Sequence, residues 1–244
     1  MKEFKLWLIQ HEMFRFNGGS QGVCYKIGNK VYKIFNFFIE EDDDIFISYD
    51  KCQILQFSSI SNGTYIFPQD VIVVSDVVVG YTMEYVNAQS LYKINPLYVN
   101  LNVFESALKA SLDDILIISK NGVLSFDVTY NMLYGNDLIK VIDTLDYSIT
   151  DIDSDKLYAV NKERFFHEIR LFLIDGYFDR FISSDIFLYS MYCDKELEFI
   201  DFLRLFRKKL SEYEGHEILK LCDAKKSVDM IKKRRLKYIR ELDV

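Results

Sequence analysis

The chain has 244 residues, of which half are hydrophobic and only two are proline, and its formal net charge is −7. A chain of this length forms one large or two small domains, and its apolar content suffices for a hydrophobic core. The negative net charge argues against a surface that binds nucleic acid over its whole extent.

Cysteine and histidine are too few and too widely spaced to indicate a zinc site. The four cysteines are Cys24, Cys52, Cys193 and Cys222, none of them in a CxxC pair, and there are three histidines. We therefore expect neither a zinc site nor a disulfide framework, and reduced thiols in the cytoplasm are the simplest interpretation. The first residues lack a long apolar run and a small-residue cleavage site, and no run of about 18 apolar residues occurs. We expect no signal peptide and no membrane-spanning helix.

The first predicted elements are strands joined by turns that contain glycine. Residues 4–16 are predicted as a first strand, and the segment FNGGSQGVCYKIGNKVYKIF continues it with two more. Glycines in the first turn allow backbone N–H groups to approach phosphate oxygens, although an ordinary turn is the alternative. Gly28-Asn29 lies between two β-rich runs, which is a strong hairpin signal. Lys33 therefore lies in the third strand, either exposed to solvent, as is usual, or buried beside a phosphate.

Residues 36–87 add one helix and two strands to this prediction. The acidic run from Glu40 to Asp44 is typical of a helix start, and the apolar residues that follow predict a helix over 44–58 that contains Asp50. The runs TYIFPQDVIVV and VVVGYTMEYV, with a Ser-Asp turn between them, predict a hairpin. The N-terminal third is therefore predicted as an antiparallel sheet of about five strands with one inserted helix.

A cluster of polar side chains is predicted in the middle of the chain. Residues 101–118 carry apolar side chains at helical spacing and lead into the stretch NGVLSFDVTYNMLYGNDLIKVIDTLDY, residues 121–147. Asp127 and Asn131 occupy a loop there, and Asp143 ends a strand after a hairpin turn. Two carboxylates and an amide that converge in this way suit Mg²⁺ and phosphate chemistry. The alternative is that all three are ordinary turn residues.

The rest of the chain is predicted to be helical. Two apolar helix faces are expected, made of Phe165, Phe166, Ile169, Phe172 and Leu173, and of Phe199, Leu203, Phe206 and Leu210. Gly176 is predicted to end the first of these helices. The last predicted helix, 225–242, is basic, and we interpret its charges as a solvated face. Binding of nucleic acid, of an acidic partner or of anionic lipid through this helix is the weaker alternative.

The order of these features resembles that of the protein-kinase-like superfamily from about residue 15 to 147. The order is a glycine hairpin, a strand lysine, a helix acid, a hairpin ending in GYTMEYV, a helix, an Asp…Asn loop, a hairpin and an Asp. The resemblance implies an α+β two-lobe fold, with a sheet lobe carrying one helix over 1–87 and a mainly helical lobe over 88–244. It also implies an ATP-dependent, Mg²⁺-dependent phosphotransferase that acts on a hydroxyl group of a protein or small molecule.

The resemblance assigns the nucleotide to residues of the first lobe. GGSQG is similar to the Gly-rich loop over the phosphates, which implies contacts from Gly19, Ser20, Gln21 and Gly22. VYKI resembles the strand whose lysine, here Lys33, pairs with the α- and β-phosphates. In TMEYV, Met83 takes the gatekeeper position and the backbone from Glu84 to Val86 bonds adenine. Asp50 is the nearest match to the glutamate that pairs with that lysine, and its side chain, one methylene shorter, allows a water bridge or no ion pair instead.

The resemblance assigns the chemistry to the central stretch. SFDVTYN looks like the catalytic loop, so that Asp127 is the base or the acid that orients the acceptor. Asn131 and Asp143, in VIDT, are the implied Mg²⁺ ligands. The stretch departs from the family pattern: Ser-Phe replaces His-Arg before Asp127, Asp127 and Asn131 are one residue closer, and Thr-Leu replaces Phe-Gly after Asp143. These departures leave two hypotheses, a compact unregulated kinase or a pseudokinase that binds nucleotide or protein without turnover.

Overall fold

The computed structural model describes residues 14–18, 21–36, 49–128, 130–175, 178–193, 197–227 and 229. In these residues an N-terminal antiparallel sheet precedes a mostly helical region, which agrees with the predicted α+β class. The sheet consists of five strands: β1 (Phe14–Gly18), β2 (Gly22–Ile27), β3 (Lys30–Phe35), β4 (Asp70–Val74) and β5 (Val77–Glu84). Their order is β1-β2-β3-β5-β4, and each neighbouring pair is antiparallel.

The two hairpin turns predicted in this sheet are present. Gly28-Asn29 joins β2 to β3, and Gly28 has a φ of 54°, a conformation that glycine adopts without steric cost. Ser75 and Asp76 join β4 to β5 with φ values of 48° and 65°, the pair of positive angles that a type I′ turn requires. Because this turn type matches the twist of the flanking strands, local chemistry fixes the register of the hairpin.

The inserted helix is shorter than predicted. It is α1 (Lys51–Leu55), and Asp50 is its N-cap, with Oδ1 accepting a hydrogen bond of 2.9 Å from the Cys52 N–H. Asp50 therefore precedes the helix, whereas the prediction placed it inside. Aspartate favours this position because its carboxylate satisfies an N–H group that has no partner within the helix. Residues 44–48 of the predicted helix lie outside the part of the chain that the structure describes.

Helices dominate the chain after residue 100. The elements that follow the first sheet are β6 (Gln89–Ser90), α2 (Leu101–Lys120), β7 (Val123–Leu124), β8 (Met132–Gly135), β9 (Leu138–Val141), β10 (Ser148–Ile149), α3 (Ser154–Leu173), α4 (Asp179–Ser184), α5 (Ile186–Cys193) and α6 (Phe199–Glu214). The short strands form two small sheets, β6-β8-β9 and β10-β7. The predicted helix over 101–118 is confirmed as α2, and Asn100 caps its first turn through the N–H groups of Asn102 and Val103.

The hydrophobic core has two parts. A large cluster joins α2, α3 and α6, and a smaller one lies under the first sheet around Phe35, Tyr81 and Met83. The predicted apolar faces are confirmed, because Phe165, Ile169, Leu173 and their partners on α6 are all buried, with Phe172 partly so. Truncation of a fully buried phenylalanine such as Phe206 is expected to cost about 3–5 kcal/mol.

Several predicted features lie outside the described residues. These are most of the strand over 4–16, the acidic run 40–44, Gly176 and nearly all of the basic helix 225–242. No helix in the described ranges is both long and apolar enough to cross a membrane.

Candidate functional site

Lys33 and Asp143, which are 110 residues apart in the chain, meet in the structure. Lys33 lies on β3 with only 6% of its surface exposed, and its Nζ forms an ion pair with Asp143 Oδ1. A buried ammonium group is costly unless a carboxylate compensates for the lost water. Lys33 is therefore buried, although a strand lysine is usually exposed to solvent. Its ion pair joins the first sheet to the segment after β9.

Gln21 adds a second link between the two regions. Its Oε1 accepts a hydrogen bond of 3.0 Å from Lys33 Nζ, and its Nε2 donates one of 3.1 Å to Asp146 Oδ2. Gln21 belongs to the predicted Gly-rich loop, of which Gly19 and Ser20 lie outside the described residues. Asp146 was not predicted as a site residue. The resulting chain of contacts is Asp146, Gln21, Lys33 and Asp143.

Gly22 has a steric role in the same loop. A Cβ at this position would lie 2.4 Å from the carbonyl oxygen of Ile34 on the neighbouring strand. A larger residue would therefore push β2 and β3 apart close to Lys33. This is a structural reason for the glycine, separate from the phosphate contact that the family resemblance implies.

The lysine lies in a poorly hydrated environment. Its cross-strand neighbours are Cys24 on β2 and Tyr81 on β5, and the Tyr81 hydroxyl is 3.5 Å from Asp143 Oδ1. Burial, reinforced by the Asp143 charge, raises the pKa of Tyr81 well above its ordinary value. Burial also raises the pKa of Cys24, against the opposing effect of Lys33. Charges in such a setting interact more strongly than they do in water.

Backbone strain among the described residues concentrates in the predicted catalytic stretch. Seven non-glycine residues have a positive φ, and four of them form the two-residue turns of hairpins. The other three are Asp127, Tyr130 and Asp143, with φ values of 43°, 66° and 59°. Left-handed conformations cost non-glycine residues energy and cluster at functional sites, where the surrounding structure holds them. Near Asp143, Thr144 Oγ1 donates a 2.9 Å hydrogen bond to the Ile66 carbonyl, which holds the turn.

Strand pairing brings Asn131 next to Asp143. In the β8–β9 ladder Met132 is opposite Val141, and the Ile142 N–H donates a 3.0 Å hydrogen bond to the Asn131 carbonyl. The Asn131 side chain donates a 2.9 Å hydrogen bond to the Asp127 carbonyl, which ties the loop together. The predicted convergence of Asn131 and Asp143 thus follows from the hairpin that separates them.

Asp127 is exposed and lies in the same electrostatic neighbourhood as Asp143. The shared neighbour is the buried Tyr147: burial raises its pKa well above the ordinary value, and the nearby Tyr65 and the charges of Asp127 and Asp143 raise it further. Asp127, Asn131 and Asp143 therefore lie in one region of the structure. Among the described residues no three His, Cys, Asp or Glu side chains gather into a metal cage. Mg²⁺ suits this set only together with phosphate oxygens and water, as in sites that use one or two carboxylates.

Two further residues, which the sequence did not indicate, hold this loop in place. Asn161 on α3 is fully buried; its Oδ1 accepts from both the N–H and the hydroxyl of Ser125, and its Nδ2 donates to Ser119 and Val123. Arg164, one turn later, donates to the Ser125 carbonyl. Their positions at helical spacing could have indicated a shared face, but not its partner 36 residues away.

The segment predicted to bind adenine follows β5. Met83 is buried opposite Val31, and the Tyr85 N–H donates a 2.8 Å hydrogen bond to the Asn29 carbonyl. Backbone groups of successive residues alternate in direction along an extended chain, so those of Glu84 and Val86 point away from β3. A cavity of about 500 Å³ adjoins residues 84–87, but neither Lys33 nor Asp143 lines it. This cavity alone therefore does not define a nucleotide cleft.

Asp50 is not part of this arrangement. Its carboxylate caps α1, and the described ion pair of Lys33 is with Asp143 instead. The family resemblance matched Asp50 by its order in the sequence, whereas its short side chain is used locally as a cap. The structure shows no ion pair between Asp50 and Lys33, which is one of the outcomes that the shorter side chain of Asp50 left open.

The site therefore consists of a buried lysine, three aspartates, an amide and a glutamine that links the sheet to the helical region. No model of a known protein family and no curated protein sequence matches the chain.

Proposed function

We propose that the chain is an ATP-dependent phosphotransferase that moves the γ-phosphoryl group to a hydroxyl group of a protein or small molecule. The observation that carries this proposal is the contact of the buried Lys33 with Asp143 at the end of β9. A buried lysine on a central strand contributes little to stability, because its desolvation offsets its ion pair. A role with phosphate gives this arrangement a reason.

Each residue has a distinct role in this mechanism. Lys33 neutralises and positions the α- and β-phosphates. Gln21 links this lysine to Asp146, which lies in the turn after Asp143. Asp143 and Asn131 would hold Mg²⁺, which supplies charge neutralisation between the phosphates. Asp127 accepts or orients the proton of the acceptor hydroxyl from its strained, exposed position. Positioning and electrostatic stabilisation of this kind account for most of the catalysis of phosphoryl transfer.

Nucleotide binding requires a rearrangement of the ion pair. Lys33 contacts Asp143 directly in the structure, and both Lys33 and Asp146 are bonded to Gln21. In the proposed complex, phosphate oxygens would replace the Asp143 carboxylate beside Lys33, which would leave that carboxylate free to hold Mg²⁺. The half-exposed Asp143 side chain can make this exchange more readily than the buried lysine.

A pseudokinase is the second candidate, and the same contact favours it in part. A direct Lys33–Asp143 pair fills the space that phosphates need, and the loop around Asp127 lacks the residues that precede the family's catalytic aspartate. Such a protein would keep the fold and the ion pair as structure. The two candidates differ in turnover, because a pseudokinase can also bind Mg²⁺-ATP but does not transfer its γ-phosphoryl group.

The first experiment is thermal unfolding with ATP, with and without Mg²⁺, which tests nucleotide binding, and release of ADP then separates turnover from binding alone. For the phosphotransferase we expect stabilisation that needs Mg²⁺, of about 2.7 kcal/mol at a ligand concentration 100 times Kd. Asp143→Asn should abolish it, and this variant keeps a side chain that tolerates the left-handed backbone. Asp70→Asn is the matched control. Asp70 on β4 forms an exposed ion pair with Lys30, which lies on the same strand as Lys33. Absence of any nucleotide effect in the wild type would contradict the proposal.

A further inference from the structure

A cavity of about 330 Å³ lies beside the loop that carries Asp127 and Asn131. Its walls come from residues 91–96, from Tyr130 and Met132, and from the second half of α3. Most of its lining is apolar or aromatic, and the exception is Glu168, which gives the Glu168 cavity its name here. The volume is within the range of small-molecule sites.

Glu168 is a carboxylate in an unusual place. Only 4% of its surface is exposed, and it lies on the inward side of α3 between the core residues Phe165 and Phe172. The Tyr92 hydroxyl donates a 3.1 Å hydrogen bond to Glu168 Oε2. Burial and the Glu168 charge raise the pKa of Tyr92 to about 12, so the hydroxyl remains a donor at neutral pH. A buried carboxylate needs hydrogen bonds or a positive charge to offset its lost hydration, and a cationic ligand in this cavity would supply such a charge.

Two aromatic rings stand beside this carboxylate. Tyr130 packs on Tyr92 with ring centroids 4.6 Å apart, although Tyr130 is 69% exposed. Tyr130 also holds a left-handed φ of 66° and lies between Asp127 and Asn131 in the sequence. Electron-rich ring faces next to a buried carboxylate form the chemical environment that binds organic cations.

We propose that the Glu168 cavity binds a cationic amine group, and that this group belongs to the phosphate acceptor. The ammonium group lies against Glu168 and the rings of Tyr92 and Tyr130, and the acceptor hydroxyl extends past Tyr130 toward Asp127. The acceptor role rests on the proposed function, whereas the binding of the cation does not. A small amino alcohol and the basic side chain of a peptide share this chemistry.

The binding step is tested without nucleotide. The probes are tetramethylammonium and tert-butanol, which have similar shapes and differ in charge, and their dissociation constants are measured by NMR titration. We expect the cation to bind on the order of tenfold more tightly. Glu168→Gln should remove this preference, and Glu163→Gln, a more exposed change on the same helix, should keep it. Equal affinity for the two probes, or a preference that survives in Glu168→Gln, would overturn the proposal.

A second variant guards against an effect of Glu168→Gln on folding. Tyr130→Asn removes an exposed ring and keeps a residue that tolerates a positive φ, so its fold should persist. We expect it to weaken tetramethylammonium binding and to leave tert-butanol binding nearly unchanged. An unchanged cation affinity in this variant would remove the aromatic part of the site and with it the proposal.

The acceptor role is tested by kinetics and fails separately from the proposed function. With Mg²⁺-ATP as donor, we expect small amino alcohols or seryl peptides with a neighbouring lysine to be phosphorylated in preference to neutral alcohols. Glu168→Gln should raise KM for the preferred class with kcat little changed, which indicates lost binding and not lost chemistry. Phosphorylation of neutral acceptors with equal efficiency would overturn the acceptor role while the phosphotransferase remains. Cation binding without any transfer would leave the site in place and contradict the proposed function.

Discussion

Single residues in this protein are defined by what surrounds them more than by their type. Two acidic residues show the contrast: Asp50 is exposed and caps a helix, whereas Glu168 is buried among apolar side chains. The first contributes to local structure, because it satisfies an N–H group at a helix end. The second is buried, where its carboxylate needs hydrogen bonds such as that from Tyr92 to offset the lost hydration.

The Tyr92–Glu168 contact predicts a specific titration. A phenol whose folded pKa is raised above the unfolded value stabilises the fold below about pH 10, and this contribution is lost as the pH rises toward about 12. Glu168→Gln removes the neighbouring charge, so we expect the Tyr92 midpoint to move down toward the ordinary tyrosine value. Titration of ¹³C-labelled tyrosine rings by NMR measures this midpoint, and Tyr92→Phe assigns the signal.

A control for this titration is Tyr158 on α3, because burial raises its pKa against the opposing effect of Lys162, and Glu168 is not among the causes. Its midpoint should be the same in the wild type and in Glu168→Gln. An unchanged Tyr92 midpoint in Glu168→Gln would mean that the Glu168 carboxylate does not act on Tyr92.

Elements in this fold are held together by polar side chains as well as by the core. The loop before Asp127 is bonded to α3 through Asn161, whose amide makes four hydrogen bonds in a buried setting. Networks of this kind fix one geometry, because any change leaves a buried group without a partner. The position of Asp127 thus depends on a helix that begins about 30 residues later in the chain.

Asn161→Ala should therefore be strongly destabilising. It leaves the Ser125 N–H and the Val123 carbonyl without their partner, and each unsatisfied buried group costs about 1–3 kcal/mol. Asn121→Ala is the matched control, because Asn121 makes one exposed hydrogen bond to Ile117 at the end of α2. Urea unfolding should show a loss at least 1 kcal/mol larger for Asn161→Ala, roughly the net value of one buried hydrogen bond. Equal losses would mean that water replaces the amide.

Features that depend on residues close together in the chain could be predicted from the sequence. Gly28-Asn29 and Ser75-Asp76 were predicted correctly, because turn conformation depends on the residues of the turn itself. The approach of Asn131 to Asp143 followed for the same reason, since one hairpin separates them. Other features depend on contacts between residues far apart in the chain, and no local sequence pattern predicts them.

Asn161, Asp146 and Glu168 belong to this second group. Asn161 bonds to a strand and loop 36 residues away, and Asp146 bonds to Gln21 across 125 residues. The sequence does not indicate that Glu168 is buried, because a glutamate on a helix is ordinarily exposed to solvent. The helix boundary at Asp50 was wrong for a different reason, because an aspartate at a helix start and one inside a helix leave similar patterns in a single sequence.

At the scale of the whole molecule, polar contacts, a backbone bridge and aromatic packing join the N-terminal part of the chain to the region after β8. Among these contacts are Lys33 with Asp143, Gln21 with Asp146 and Thr144 with the Ile66 carbonyl, and the ring of Phe67 packs edge-on against Tyr147. Tyr65 pairs with Val141 in an isolated bridge beside them. The candidate site thus lies at the junction of the two regions, where a ligand can be held by both.

The Lys33–Asp143 pair allows stability to be separated from function. Lys33→Met leaves Asp143 without its partner, and Asp143→Asn leaves a buried ammonium group without a carboxylate, so each should lower the free energy of unfolding. Loss of one partner of a fully buried pair costs about 3–5 kcal/mol, and we expect less here because Asp143 is partly exposed. The double variant should recover much of that loss, since neither buried charge remains, and urea unfolding of all four proteins measures the coupling.

If the pair serves only the fold, the double variant should also keep every ligand response. If it serves phosphate, the double variant should be nearly as stable as the wild type and yet show no stabilisation by Mg²⁺-ATP, because the groups that hold the phosphates and the metal have both been removed.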